Sequence, residues 1–288
     1  LKAPNTRKTV RRALNLFERL ARPGGLASLD ARTIARFQTA MMAEGYAPRS
    51  IKTYLDSLHG ALAWAVDPGG LIPTVPSFPD VIVPPQRPRP LPAEHYEHLL
   101  ERAGQLHPLL ELGWHAGLRI GEAARLCWEE TGREPWVDLE AKRLRFPVGG
   151  QKAKREDWIP IAPPLLAVLE ALPREGRRVV PLFRQDGSPV KDSYRTDYTD
   201  KRFRELARGA GVRATFHGLR KAFGTRYAAR VPAQVLQRLM RHSSIAVTLA
   251  YYCDLGDAMI EAVNTSFNSD PADLAKPLEN KGSAKAGG

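Results

Sequence analysis

Leu239-Met240-Arg241-His242-Ser243-Ser244-Ile245-Ala246-Val247-Thr248-Leu249-Ala250-Tyr251-Tyr252 places a histidine nine residues before a tyrosine. On one uninterrupted helix nine residues turn through about 900 degrees, so His242 and Tyr251 would face opposite ways. Shared chemistry requires a break. Ser243 and Ser244 are N-cap candidates, so one helix can end near His242 and a new one can carry Tyr251 back toward it. The plainer reading makes both tyrosines packing aromatics with tied hydroxyls, and it suits Tyr252 better than Tyr251.

Upstream, Phe216-His217-Gly218-Leu219-Arg220-Lys221-Ala222-Phe223-Gly224-Thr225 reads as a helix capped by Thr215. His217 and Arg220, three apart, share a face and can reach one phosphate oxygen. A solvated polar stripe is the alternative, but Leu219 and Phe223 on the neighbouring face suggest a buried helix presenting a small polar set. Further upstream, Ala116-Gly117-Leu118-Arg119-Ile120-Gly121-Glu122 reads as a glycine turn opening a helix that continues through Ala123, Leu126 and Trp128. Arg119 then sits at a helix N-terminus, where a cation is unfavourable unless an anion is held. Pairing with Glu122 one turn along is the alternative.

Between these helices the period changes. Trp136-Val137-Asp138-Leu139, Leu144-Arg145-Phe146 and Asp157-Trp158-Ile159-Pro160-Ile161 read as strands of a small antiparallel sheet. The turn Gly149-Gly150-Gln151-Lys152-Ala153-Lys154-Arg155-Glu156 joins the last two. A solvated loop is its ordinary fate, but its lysines lie beside a phosphate-holding set.

Arg119, Lys152, His217, Arg220, His242 and Tyr251, in that order, resemble the catalytic domain of the tyrosine recombinases, the phage-integrase family. The Ala-Gly-Leu-Arg-Ile-Gly-Glu box is similar to that family's first arginine box, His217-x-Leu219-Arg220 to its second, and His242 with Tyr251 to its closing motif. Lys152 stands eight residues before Pro160, where the family's hairpin lysine precedes an Ile-Pro or Val-Pro pair; Lys154 is the alternative. The resemblance covers roughly residues 92 to 265. Two departures stand out: Arg241 replaces the glycine that usually precedes the second histidine, and Lys221 stands where the family often has another histidine.

The resemblance implies that Tyr251 attacks a scissile phosphate to give a 3′-phosphotyrosyl link and a free 5′-hydroxyl. Ionising a free tyrosine of pKa near 10 at pH 7 costs about 4 kcal/mol, which the site must offset. Arg119 and Arg220 would neutralise the pentacoordinate phosphorane, and Lys152 would protonate the leaving 5′-oxygen. His217 would assist proton removal from Tyr251, His242 would hydrogen-bond a phosphate oxygen, and Glu122 would orient Arg119. No cofactor or metal is required. His95-x-x-His98 has helical metal-ligand spacing but lacks a third ligand, and is expected on an exposed helix.

Residues 73–92 contain eight prolines, which excludes a helix and indicates an extended strap with Arg87 and Arg89 at its basic end. Before it come three amphipathic helices: about 5 to 21 with Val10, Leu14 and Phe17 inward; about 30 to 44 capped by Asp30; and about 48 to 66 with Ile51, Tyr54, Leu55, Leu58 and Leu62 on one face. Asp67-Pro68-Gly69-Gly70 stops the third. This pattern resembles the family's SAM-like core-binding domain, with Arg7, Lys8, Arg11, Arg12, Arg49 and Lys52 as candidate phosphate contacts. The expected fold is mainly α with a small antiparallel β-sheet: residues 1–72 a helical DNA-binding domain, 73–91 a proline-rich linker, 92–267 an α+β catalytic domain, 268–288 a disordered tail. By the same resemblance the two domains would close on the duplex as a C-shaped clamp, and the stretch 257–263 would form a short last helix that docks in cis or on a neighbouring protomer.

The composition of the 288 residues agrees with a DNA partner. Lys plus Arg number 43 against 31 Asp plus Glu, a net charge of +12, which favours salt-sensitive contact with a phosphate backbone. Cys127 and Cys253 have neither metal nor disulfide spacing and suggest a reducing cytoplasm, where the protein would associate with DNA. No apolar run reaches the roughly 20 residues of a membrane span, and no signal-peptide pattern is present. The expected function is a site-specific DNA recombinase acting as a homotetramer on two double-stranded DNA sites. A type IB-like topoisomerase uses the same residues, and a non-catalytic DNA-binding protein is the reading from a different class.

Overall fold

The computed structural model describes residues 4–84, 88–148 and 156–252. Lys152, Lys154, Arg87, Cys253, the expected helix at 257–263 and the tail at 268–288 lie outside the described residues. The chain divides into two compact units, Leu1–Gln86 and Arg87–Gly288. It is mainly helical, with one small antiparallel sheet.

The first unit is built from α1 (Pro4–Ala21), α2 (Ala31–Ala43) and α3 (Pro48–Val66). Asp30 caps α2 by accepting from the Thr33 amide at 2.8 Å, and Pro48 starts α3, where its missing N–H has no intrahelical partner to lose. Phe17, Ile34, Phe37, Met41, Ile51, Leu55, Leu58 and Leu62 form the core, with the Phe17 and Phe37 rings edge to face at 5.2 Å. The buried stripe of α1 is rotated from the expected one. Ala13, Leu16, Phe17 and Ala21 point inward, while Leu14 is 39% exposed. Spacings of three, four and eight from Ala13 keep these four on one face, whereas Leu14 lies on its edge. Residues 73–84 form no helix or strand, and Val75, Phe78 and Val81 lie against this same core.

The second unit begins with α4 (Ala93–Leu100) and centres on α5 (His107–Ala116), whose Leu109, Leu110 and Leu112 are fully buried. α6 (Ile120–Arg125) follows. The strands β1 (Trp136–Asp138), β2 (Arg143–Phe146) and β3 (Asp157–Pro160) pair in the order β1-β2-β3, all antiparallel. Phe146 opposite Asp157 is the rung nearest the turn. Then come α7 (Pro163–Ala171), α8 (Arg195–Gly209), α9 (Phe216–Ala228), α10 (Ala233–Met240) and α11 (Ile245–Leu249). Leu118, Leu144, Ile159, Leu165, Phe203 and Leu219 join the α5 leucines in one core.

α6 is shorter than the sequence suggests, ending at Arg125 rather than running through Leu126 and Trp128. Backbone pairing outside the helix competes successfully for these residues. Cys127 N–H donates to Pro135 at 2.8 Å, Trp128 N–H to Arg177 at 3.1 Å, and the Leu126 carbonyl accepts from Val179 at 3.0 Å. Buried Arg195 ties the end of α6 to the rest of the unit by donating from Nε to the Ala124 carbonyl at 2.9 Å. On α4, His98 sits against Arg102 at 3.2 Å. Among the described residues there is no group of three or more His, Cys, Asp or Glu placed to hold a metal, and no helix long and apolar enough to cross a membrane.

Candidate active site

The turn from α5 to α6 sets Arg119. Gly117 ends α5 in the left-handed region (φ 59), and a Cβ there would come within 2.6 Å of the Phe223 ring, so glycine is required both for backbone and for space. Arg119 is then the N-cap of α6. The Glu122 carboxylate receives Nη1 of Arg119 at 2.9 Å and its backbone N–H at 2.8 Å, while Nη2 donates to the Arg241 carbonyl at 3.2 Å. The pairing with Glu122 is present and orients the fork, while the Arg119 side chain stays 49% exposed.

Arg220 comes from α9, which Thr215 caps by accepting from the Gly218 amide at 3.3 Å. Its guanidinium is 2% exposed and donates to the carbonyls of Gly117 and Met240, tying the α5–α6 turn to the end of α10. Burial, reinforced by Arg119, lowers its pKa to about 9, which still leaves it charged at pH 7. His217, one turn earlier on α9, reaches solvent. Desolvation and then the charges of Lys221, Arg220 and Arg119 push its imidazole down.

α10 ends at Met240, and Arg241 takes the left-handed conformation (φ 50, ψ 50) that closes it. The turn at which the resemblance leads one to expect glycine is thus made by an arginine, at a backbone cost of about 1 to 2 kcal/mol. The Arg241 side chain is 4% exposed, pairs through Nη2 with Glu122, and lies 3.4 Å over the Phe146 ring. Burial works to raise the Glu122 carboxyl, but Arg241 and Arg119 outweigh it and hold the group below the usual carboxylate range. One carboxylate therefore faces Arg119, Arg220 and Arg241, leaving an excess of positive charge.

Ser244 caps α11, accepting from the Ala246 amide at 3.3 Å, and supplies the break that brings histidine and tyrosine together. His242 Nδ1 lies 2.9 Å from Thr248 Oγ1, and its ring stacks on Tyr251 at 6.1 Å with 26° between the planes. Burial first, then Arg220 and Arg119, push His242 down to about 4. The ordinary histidine value is 6.5, so the folded state favours the neutral ring. The resulting stability is present above pH 6.5 and is lost as pH falls toward 4. Urea midpoints of the free protein across that window should fall with pH, and His242→Gln should flatten the fall; the Glu122 contribution is lost at lower pH.

Tyr251 packs against the cluster formed by Phe223, Ala228, Leu236 and Met240. A Cβ on Gly224 would lie 2.5 Å from its ring, so the tyrosine occupies space that this glycine leaves. Gly224→Ala is expected to displace the ring and to destabilise the free protein by about 1 to 3 kcal/mol, read by thermal melting. Burial raises the Tyr251 pKa and Arg220 pulls it back. Among the described residues no group hydrogen-bonds the Tyr251 hydroxyl, whereas Tyr252 Oη donates to the Val231 carbonyl at 2.6 Å.

Arg119, His217, His242 and Tyr251 thus lie within electrostatic reach of Arg220, and Glu122 pairs with Arg119. Lys152 lies in the sequence joined by Phe146 and Asp157, outside the described residues. Arg241, Thr248 and Gly224 belong to the same cluster but were not singled out as site residues from sequence. Only Arg241 had a signal there, as a substitution in a glycine position.

The sequence profile of the phage integrase family matches residues 89–258, more than half of the chain. The chain belongs to the phage integrase family. It is a tyrosine recombinase, an enzyme of DNA strand breakage and rejoining. Similar proteins within this family include the tyrosine recombinase XerA of Pyrococcus furiosus, 27% identical over 232 residues that span 78% of this chain and 76% of XerA. Its fold resembles that of the Tn1549 transposon integrase solved with transposon right-end DNA, with a TM-score of 0.69, 20% identity, and 93% and 95% of the two chains covered. It also resembles the lambda integrase solved as a dimer bound to a COC′ core site, with a TM-score of 0.68, 19% identity, and 89% and 73% covered.

Proposed function

We propose that Tyr251 is the nucleophile of a site-specific recombination reaction on double-stranded DNA, with Arg119, Lys152, His217, Arg220 and His242 as its catalytic partners. The observation that carries this reading is the surplus of guanidinium charge around one carboxylate, beside a tyrosine whose hydroxyl has no partner among the described residues. Such a surplus suits a phosphate, and suits better the extra negative charge of a phosphorane. The Tyr251 oxygen bonds to phosphorus, the bond from phosphorus to the 5′-oxygen breaks, and that oxygen takes a proton from Lys152. His217, neutral because of its surroundings, receives the tyrosine proton, and His242, held at Nδ1 by Thr248, offers Nε2 to a phosphate oxygen. A 5′-hydroxyl from the partner duplex then attacks the phosphotyrosine and restores the backbone.

Residues 1–72, within the first unit, are the SAM-like core-binding domain in this reading, joined by a linker at 73–91 to the catalytic domain at 92–267. A groove of about 540 Å³ between α1 and α3, lined by Lys8, Arg12, Arg49, Ser50, Thr53 and Tyr54, supplies cations and hydroxyls suited to backbone phosphates. Exchanging both strands of two duplexes requires four cleavages, and one tyrosine per protomer makes a homotetramer the matching assembly. The test is incubation with supercoiled plasmid carrying candidate sites, with chelator present. Recombinant products support the reading; relaxation at any sequence without strand exchange favours the topoisomerase alternative, and dependence on a divalent ion overturns the proposed roles.

A further inference from the structure

Arg241 carries a charge on a side chain only 4% exposed, in a left-handed backbone conformation, and its Nη1 is buried without a hydrogen-bond partner among the described residues. A glycine would make the turn without these costs, so the contacts of the guanidinium carry the argument. Nη2 of Arg241 holds Glu122, and Glu122 accepts from Arg119 twice, at Nη1 and at the backbone N–H. The carbonyl of Arg241 accepts from the other arm of the Arg119 fork, Nη2, at 3.2 Å. Arg119 is thus gripped on both arms, one by the backbone of Arg241 and the other by a carboxylate that the Arg241 side chain secures. Since Arg119 is 49% exposed, these polar contacts rather than enclosure set its direction. Burial works to raise the Glu122 carboxyl, and among the charges that oppose it Arg241 stands ahead of Arg119.

We infer that Arg241 is a positioning residue for Arg119: its guanidinium, held flat against Phe146, fixes the Glu122 carboxylate and so preorganises the Arg119 fork for the scissile phosphate. The inference rests on the reading of Arg119 as a phosphate-holding residue. Arg241 is shut away from substrate by its own burial and acts through Glu122. An arginine suits the position because its planar fork can pair with a carboxylate while its face stacks on a ring. The gain is kinetic, since a donor already aimed at the developing charge needs no reorganisation when the phosphorane forms.

The test is a double-mutant cycle read by single-turnover cleavage of a nicked suicide substrate, at a temperature where thermal melting shows every variant folded. Arg241→Met keeps an unbranched side chain against Phe146 and leaves the backbone demand of the turn as it is, so it removes the cation and little else. Arg241→Gly loses the same cation while relieving the turn, and should behave alike. Each should cleave about 10- to 30-fold more slowly than wild type, and Arg241→Lys, which restores a cation for the single contact to Glu122, should come within about threefold of it. Arg119→Ala alone should be about 100- to 1,000-fold slower. Adding Arg241→Met to it should cost less than about twofold more, because no fork is left to orient, whereas a general structural fault would multiply in both backgrounds. Wild-type cleavage by Arg241→Met and Arg241→Gly, or an equal loss in the Arg119→Ala background, would overturn the positioning role. Wild-type cleavage by Arg119→Ala would instead overturn the reading of Arg119 on which the inference rests.

Discussion

Arg220→Ala should reduce single-turnover DNA cleavage by about 100- to 1,000-fold or more and should also destabilise the free protein. The first effect follows from charge. Arg220 is the most buried guanidinium of the cluster and lies within electrostatic reach of Tyr251, so its removal takes a preorganised donor from where the phosphorane would form. The second follows from hydrogen bonding. The Gly117 and Met240 carbonyls lose their donor, and each buried group left unpaired costs about 1 to 3 kcal/mol. Arg220→Lys separates the two contributions, since an ammonium keeps the charge but cannot span both carbonyls as a planar fork does. It should retain more stability than alanine while still cleaving about 100-fold slower than wild type. Thermal melting and cleavage kinetics on the same preparations check both, and wild-type cleavage by Arg220→Ala would remove this arginine from the reaction.

Tyr251→Phe should form no covalent complex with a nicked suicide substrate, while Tyr252→Phe should form one at close to the wild-type rate. The two rings are neighbours, but their hydroxyls differ. Tyr252 Oη is tied to the Val231 carbonyl, so its loss should cost about 1 kcal/mol of stability and leave the chemistry in place. Tyr251 has its ring against Gly224 and His242 and its hydroxyl uncommitted among the described residues. Since Tyr251→Phe removes only that oxygen, DNA binding should survive, and a denaturing gel distinguishes lost chemistry from lost affinity.

The helices of the first unit were legible because their caps and apolar periods are local: Asp30 before α2, Pro48 at the start of α3, and the stripe from Ile51 to Leu62. The break between His242 and Tyr251 was legible for the same reason, since Ser244 caps whatever follows it. What sequence could not reveal depends on distant partners. α6 stops early because Leu126 and Cys127 pair with segments around Pro135 and Val179. The inward face of α1 is decided by which of two adjacent stripes meets Phe37, and Leu14 loses to Leu16. Arg241 was visible only as an exception to a glycine position. Its contacts with Glu122, 119 residues away, and with Phe146 appear only once the turn after α10 is brought to α6 and β2.

The central claim is that Tyr251 becomes joined to the 3′ side of the broken strand. A suicide substrate labelled on the 3′-phosphate side, digested with protease after trapping and analysed by mass spectrometry, tests it most directly. The account predicts a single DNA-linked peptide containing Tyr251, with the phosphate on that side chain and a free 5′-hydroxyl on the released strand. Linkage to Tyr252 or another residue, or a 5′-phosphate on the linked side, would contradict it.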